Sequence, residues 1–217
     1  QVRDLRQAAV RAIMAARRER RFSSLRDLLS RVALQEKEAQ HLVQCGALDG
    51  LGASRAALLT ELKEVRRAGS VQQMAFQFPL EPVAPEGPAQ RLAWEQRVLG
   101  WPVSVTPLEA LDGPSPASVA LSDLPSQPGR PAVVAGYRLP GWTGGKGFYL
   151  SDGGSFVVAI EREGSSKPSP WQPILARGRW QRDHWGAEWL QVEEISPLEP
   201  VHGPSADNTD QKQNRPL

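Results

Sequence analysis

The sequence predicts an α+β chain in two parts, an all-helical region over residues 1–67 and a five-stranded β-barrel of the OB type over residues 131–195. Three observations carry this. Apolar residues recur every three or four positions through the first third. The apolar period drops to two from residue 131 onward. Between them, residues 68–90 hold Pro79, Pro82, Pro85 and Pro88, and residues 112–130 form a second Pro/Ser/Gly-rich stretch, so 68–130 reads as a linker.

The first helix is expected over residues 3–20, where Leu5, Ala9, Ile13 and Ala16 form one stripe and the other faces carry arginines. Phe22-Ser23-Ser24-Leu25 breaks the pattern, and Ser23 or Ser24 can cap a second helix running to about Arg31. A third helix is expected from Glu36 to Gln44, with Gly46 past its end as a natural stop. Asp49-Gly50 and Gly52 mark a tight turn, and Ser54 can cap a fourth helix whose inner stripe is Ala57, Leu58 and Leu62. A short helix is also expected within the linker, over RLAWEQRVLGW.

Five strands follow, at 132–139, 146–151, 155–161, 173–181 and 187–194, with Asp152-Gly153-Gly154 as a hairpin signal. Five short strands with an irregular stretch between the third and fourth match a small closed barrel; a fragment of a sandwich is the structural alternative. Residues 196–217 are polar and read as a disordered tail.

Composition excludes several classes. Cys45 is the only cysteine, so neither an internal disulfide nor a thiolate metal cluster can form, and His41, His184 and His202 are scattered. No run of apolar residues is long enough to span a membrane, and the arginine-rich start has no apolar core, so it is not a secretory signal. A reducing cytoplasm is the expected compartment, with no membrane partner. Because the chain starts at Gln1, it reads as a piece of something longer. Gly144-Gly145-Lys146-Gly147 lacks the leading glycine and the trailing Ser or Thr of a phosphate loop. Asp27, Asp49 and Asp152 are read as cap and turn residues.

Charge is uneven. Residues 1–67 hold 14 Lys/Arg against 8 Asp/Glu, whereas residues 68–217 hold 12 against 16. A basic first third points to a polyanion, and short helices joined by glycine turns suit backbone amides that grip phosphate. A solvated helix surface is the alternative.

Four segments, in order, resemble the C-terminal half of bacterial DNA polymerase III alpha subunits, especially the error-prone DnaE-type branch. The first is AIMAARRERRFSSLRDLLSRV at 12–32, matched at Arg17, Phe22, Ser24, Leu25, Asp27, Leu28, Arg31 and Val32. The second is LVQCGALDGLGASRAALL at 42–59, matched at Gly46, Ala47, Asp49, Leu51, Gly52, Arg55 and Leu58. The third is WEQRVLGWPVSVTPLE at 94–109; the fourth is the barrel, with its VVAGYRL and ILARGRW strands. The family departs from this chain in places. Asp4 stands where the first hairpin usually has glycine, Thr106 replaces a histidine before Pro107, and the chain ends soon after the barrel, which favours the error-prone branch.

The resemblance implies a tandem helix-hairpin-helix region that holds duplex DNA, and an OB barrel near single-stranded template as a second ligand. It implies a parent polymerase using Mg2+ at palm carboxylates upstream, so this segment is expected to carry no catalytic residue, no metal site and no cofactor of its own. The expected duplex contacts are Arg3, Arg11, Arg17, Arg18, Arg20, Arg21, Gly50, Gly52 and Arg55. Contacts to backbone make binding sequence-independent and salt-sensitive. Gln73, Met74, Phe76 and Phe78 resemble the family's sliding-clamp peptide, in which a Gln and large apolar anchors enter a preformed groove; a linker folding back on the core is the alternative. On the barrel, Arg138, Trp142, Lys146, Phe148, Arg177 and Arg179 are expected to form a stacking and phosphate surface, with core packing as the alternative for Phe148. Trp171, Trp180, Trp185 and Trp189 are assigned to core or edge packing. A stand-alone binding protein and a non-binding scaffold are the rival readings.

Overall fold

The computed structural model describes residues 2–52, 54–68, 83–111, 117–145, 147–161 and 167–198. The helical part comprises α1 (Gln7–Glu19), α2 (Leu25–Arg31), α3 (Glu36–Gln44), a 3-10 turn (Asp49–Leu51), α4 (Arg55–Ala68) and α5 (Pro88–Leu99). The barrel comprises β1 (Pro131–Leu139), β2 (Gly147–Ser151), β3 (Phe156–Glu161), β4 (Pro173–Arg182) and β5 (Glu188–Pro197). A region of short helices followed by a closed five-stranded barrel is therefore the architecture.

Local chemistry explains the helix ends. The Ser24 hydroxyl accepts the Asp27 N–H at 3.1 Å while the Asp27 carboxylate accepts the Ser23 N–H at 3.0 Å, a reciprocal cap that starts α2. Past α3, the Gly46 N–H bonds to the Val43 carbonyl and the Ala47 N–H to the Leu42 carbonyl, with Gly46 in the left-handed region at φ +79°. The first helix begins four residues later than the sequence pattern suggests. Residues 3–6 are instead an approach loop, in which the Arg3 N–H donates to the Val98 carbonyl of α5 and the Arg6 N–H to Glu38. Leu25, Leu28, Ala39, Val43, Leu58 and Leu62 form the buried centre of this part.

The barrel strands follow the order β1-β2-β3-β5-β4, closed by the antiparallel pairing of β4 with β1. β3 and β5 are the parallel pair, with Ala159 opposite Leu190. This is the Greek-key order of an OB-type barrel, so the sandwich alternative is set aside. Alternation sends Phe148 and Leu150 inward and leaves Tyr149 on the outer side of β2. β4 kinks at Arg177/Gly178, where a side chain at Gly178 would collide with the Gln191 carbonyl, so only glycine lets the two backbones meet there. A 3-10 turn (Leu121–Ser126), read as linker in the sequence, buries Leu121 and Leu124 in the barrel core. The Asp152 carboxylate ties it down by accepting the Leu121 N–H at 2.9 Å.

Candidate nucleic-acid interface

Arg3, Arg11, Arg17, Arg18, Arg20 and Arg21 are all exposed. Arg11 and Arg18 lie two turns apart on α1 and so share a stripe. Arg20 donates to Asp27 at 2.9 Å, which offsets part of its charge. Arg17 and Arg21 line one groove of about 560 Å³ together with Gly50, on a floor that includes Ile13, Phe22 and Leu51. The fold thus brings the arginine-rich end of α1 against the glycine turn between α3 and α4. Gly50 and Gly52 are exposed there, Gly50 toward open space and Gly52 with its Cα against the buried Leu58.

Arg55 does not join this surface. Its side chain is 3% exposed and lies inside the second hairpin. Its Nε and Nη2 donate to the two Asp49 oxygens at 2.8 Å each, and Nη1 donates to Glu95 Oε1 at 2.8 Å and to the Gln44 carbonyl at 3.1 Å. Nη2 also donates to the Ser104 hydroxyl at 3.3 Å. The guanidinium occupies the space that a side chain at Gly46 would need. Its donors are spent on the chain itself, which corrects its assignment as a duplex contact. The missed partner is Glu95, fully buried on α5. Burial works to raise the Glu95 pKa, but the Ser104 hydroxyl, the Ser104 and Val103 N–H groups and Arg55 outweigh it, and the carboxyl ends below its ordinary value.

The first turn of α4 is also filled from within. The Ala57 N–H bonds to the Ser54 hydroxyl at 3.1 Å and the Ala56 N–H to Glu86 at 2.9 Å, with Arg91 holding Glu86 at 3.0 Å. The free helix-start amides expected from the sequence are therefore taken at this helix. In the first hairpin Asp4 adopts φ +57°, the left-handed backbone usual for glycine, and its carboxylate pairs with Lys37 at 2.8 Å.

On the barrel, Trp142 is 83% exposed in the loop between β1 and β2. Beside it, the outer sides of β2 and β3 carry Tyr149 and Phe156, edge to face at 6.0 Å, and Gly141 lies against the Tyr149 ring. Trp185 is 83% exposed in the β4–β5 turn, contrary to its assignment to packing. Asp183 builds that turn by accepting the Trp185 and Ala187 N–H groups at 2.9 and 2.8 Å, and the indole sits beside the His184 ring, 4.6 Å between centroids. Trp180 is buried, and Trp171 and Trp189 are half-buried.

The other expected barrel residues separate. Phe148 is 1% exposed and belongs to the core, because strand alternation turns it away from Tyr149. On β4, Arg177 pairs with Glu194 of β5 at 3.7 Å and Arg179 with Glu193 of β5 at 3.1 Å, so both charges are partnered across the two strands. Arg138 is half-buried and donates to the Pro168 carbonyl at 2.6 Å. Lys146 lies outside the described residues, as do the clamp-peptide residues Gln73, Met74, Phe76 and Phe78. Tyr149, Phe156 and Trp185 were missed; the alternation of β2 and the Asp-x-x-Gly turn were the available signals. Among the described residues no helix is long and apolar enough to cross a membrane, and no three His, Cys, Asp or Glu side chains group as a metal ion would need.

A helix-hairpin-helix motif family matches residues 1–58, about a quarter of the chain. Among curated proteins none matches the sequence. The chain is similar to asparaginyl-tRNA synthetase from Pyrococcus horikoshii complexed with asparaginyl-adenylate, at 16% identity and a TM-score of 0.33, over 40% of this chain and 23% of the synthetase. It thus spans about a quarter of the length of that protein. It is also similar to the hypothetical protein ygiW from E. coli, at 13% identity and a TM-score of 0.34, over 40% of this chain and 95% of that one. A third similarity is to a DUF3299 family protein from Pseudomonas aeruginosa PAO1, at 16% identity and a TM-score of 0.25, over 58% of this chain and 90% of that one. The strand order β1-β2-β3-β5-β4 is what marks the barrel as OB-like. The N-terminal motif and the OB-like barrel are together features of nucleic-acid binding.

Proposed function

We propose that this chain is the DNA-handling segment of a bacterial DNA polymerase III alpha-type polymerase of the error-prone branch, acting in damage-tolerant synthesis in the cytoplasm. The observation that carries the DNA part is the convergence of Arg17, Arg21 and Gly50 on one groove of a helix-hairpin-helix motif. Exposed guanidinium groups there neutralise duplex phosphates without reading bases. The barrel takes unpaired template on Trp142, Tyr149, Phe156 and Trp185, whose faces stack on bases of any sequence. The polymerase part is supported by the four ordered segments of family resemblance, and the proposed clamp peptide is Gln73, Met74, Phe76 and Phe78. Mg2+ would act at carboxylates of the parent protein outside this segment.

The test is binding to a labelled primer–template duplex titrated across salt. Affinity falling steeply with salt, with the slope lowered by about one in Arg17→Ala, is the expected result. Trp142→Ala with Trp185→Ala should weaken binding to single-stranded DNA by about 1–3 kcal/mol per lost base stack. Absence of duplex binding at low salt would leave the segment without autonomous grip and sink the reading.

A further inference from the structure

Arg55 and Glu95 lie 40 residues apart, yet they meet inside the fold, 3% and 0% exposed. Arg55 forks onto Asp49, the first residue of the turn Asp49–Leu51 that carries Gly50 into the groove. From the other side, Glu95 accepts the Val103 and Ser104 N–H groups at 2.6 and 2.9 Å and the Ser104 hydroxyl at 2.5 Å. The chain of contacts therefore runs from the turn through Asp49 and Arg55 to α5 and the loop after it. All of Glu95, Val103 and Ser104 lie beyond the matched motif, which ends at residue 58.

We infer that Arg55 and Glu95 are a positioning pair, through which α5 and the loop after it set the shape of the second hairpin and so control duplex grip without touching DNA. The inference rests on the duplex-binding reading. A guanidinium fork holds both oxygens of Asp49 in one plane, which fixes the turn more firmly than a single contact could. Glu95 is the buried one of the two carboxylates on this guanidinium, so it anchors the inner end while Asp49, half-exposed, holds the outer end.

The experiment is duplex binding across salt by the full chain and by Arg55→Gln, Glu95→Gln and Ser104→Ala, with amide hydrogen exchange of residues 49–52 measured on the same proteins. Each variant should lose roughly three- to thirtyfold in affinity. The salt slope of Arg55→Gln should stay that of the unaltered chain, whereas Arg17→Ala lowers it by about one. Exchange at residues 49–52 should quicken while exchange in the barrel strands does not. A slope lowered by about one in Arg55→Gln would mean that Arg55 contacts phosphate, and would overturn the inference. So would unchanged or tighter binding by Glu95→Gln, the latter meaning that Glu95 merely withholds Arg55 from DNA. Ser104→Ala removes one hydroxyl only and decides the matter if the other variants fail to fold. Failure of the unaltered chain to bind duplex sinks the duplex reading and the control of grip with it; protection at 49–52 that survives Glu95→Gln overturns the positioning role with or without DNA.

Discussion

The helical part and the barrel solve the same problem with different materials. In the helical part, Glu38, Arg55 and Glu95 are buried and hold segments distant in sequence together. Glu38 accepts the Arg6 backbone N–H and two N–H groups of the single Arg6 guanidinium at 2.7–3.0 Å, as well as the Gln35 N–H at 2.7 Å. In the barrel, the centre is apolar, from Val134 and Leu150 to Ile174 and Leu190, with Ser151 and Glu161 buried only at the ends of β2 and β3, and the glutamates of β5 stay outside, paired with arginines of β4. Helices of seven to fourteen residues share too little apolar face to fix one another, so charged clasps supply the registration. Strands of a closed barrel are registered by their ladders, and side chains need only fill the centre.

The largest effect should come from breaking the clasp. Glu95→Ala leaves Arg55 with the half-exposed Asp49 as its remaining carboxylate and strips the Val103 and Ser104 N–H groups of their acceptor; it is expected to destabilise the helical part by about 3–5 kcal/mol, read by denaturant melts with exchange resolved by region. If the barrel loses protection equally, the two parts unfold as one unit and the contrast fails. Ile174→Ala is expected to cost about 2–5 kcal/mol through loss of transfer energy and the cavity left in the barrel.

Acid should separate the regions without a mutation. Arg6, with the Gln35 and Arg6 N–H groups, holds the Glu38 carboxyl down to about 2 against its ordinary 4.5. A folded pKa below the unfolded one gives stability that is complete above about 4.5 and lost as pH falls toward about 2. Glu161 at the end of β3 goes the other way: burial raises its pKa, with Lys167 and Arg138 opposing. Its burial therefore costs stability as pH rises through that pKa and ceases to cost it on acidification. Exchange protection should fall in the helices before the strands as pH drops below 4.5; strands failing first would reverse the comparison. The smallest effect is expected from Arg179→Ala, where an exposed cross-strand pair with Glu193 contributes about 0–1 kcal/mol.

Most of the elements were legible locally in the sequence, apart from the late start of α1 and the turn Leu121–Ser126. Helical spacing, Ser24 and Ser54 as caps, Gly46 as a stop and the period-two runs each act within a few residues, so short-range sterics and hydrogen bonding make them legible. The sequence also determined that arginines crowd the end of α1. Tertiary structure alone decided which charged groups face out. Arg17 and Arg55 carry the same side chain, and the second is held inward by Asp49, by the Gln44 carbonyl and by Glu95, 40 residues on. It likewise decided that Trp185 stands clear while Trp180 is buried, because a turn built by Asp183 and the closure of β4 on β1 set their directions. Burial of a charge depends on partners from distant segments, and a local pattern holds no record of them.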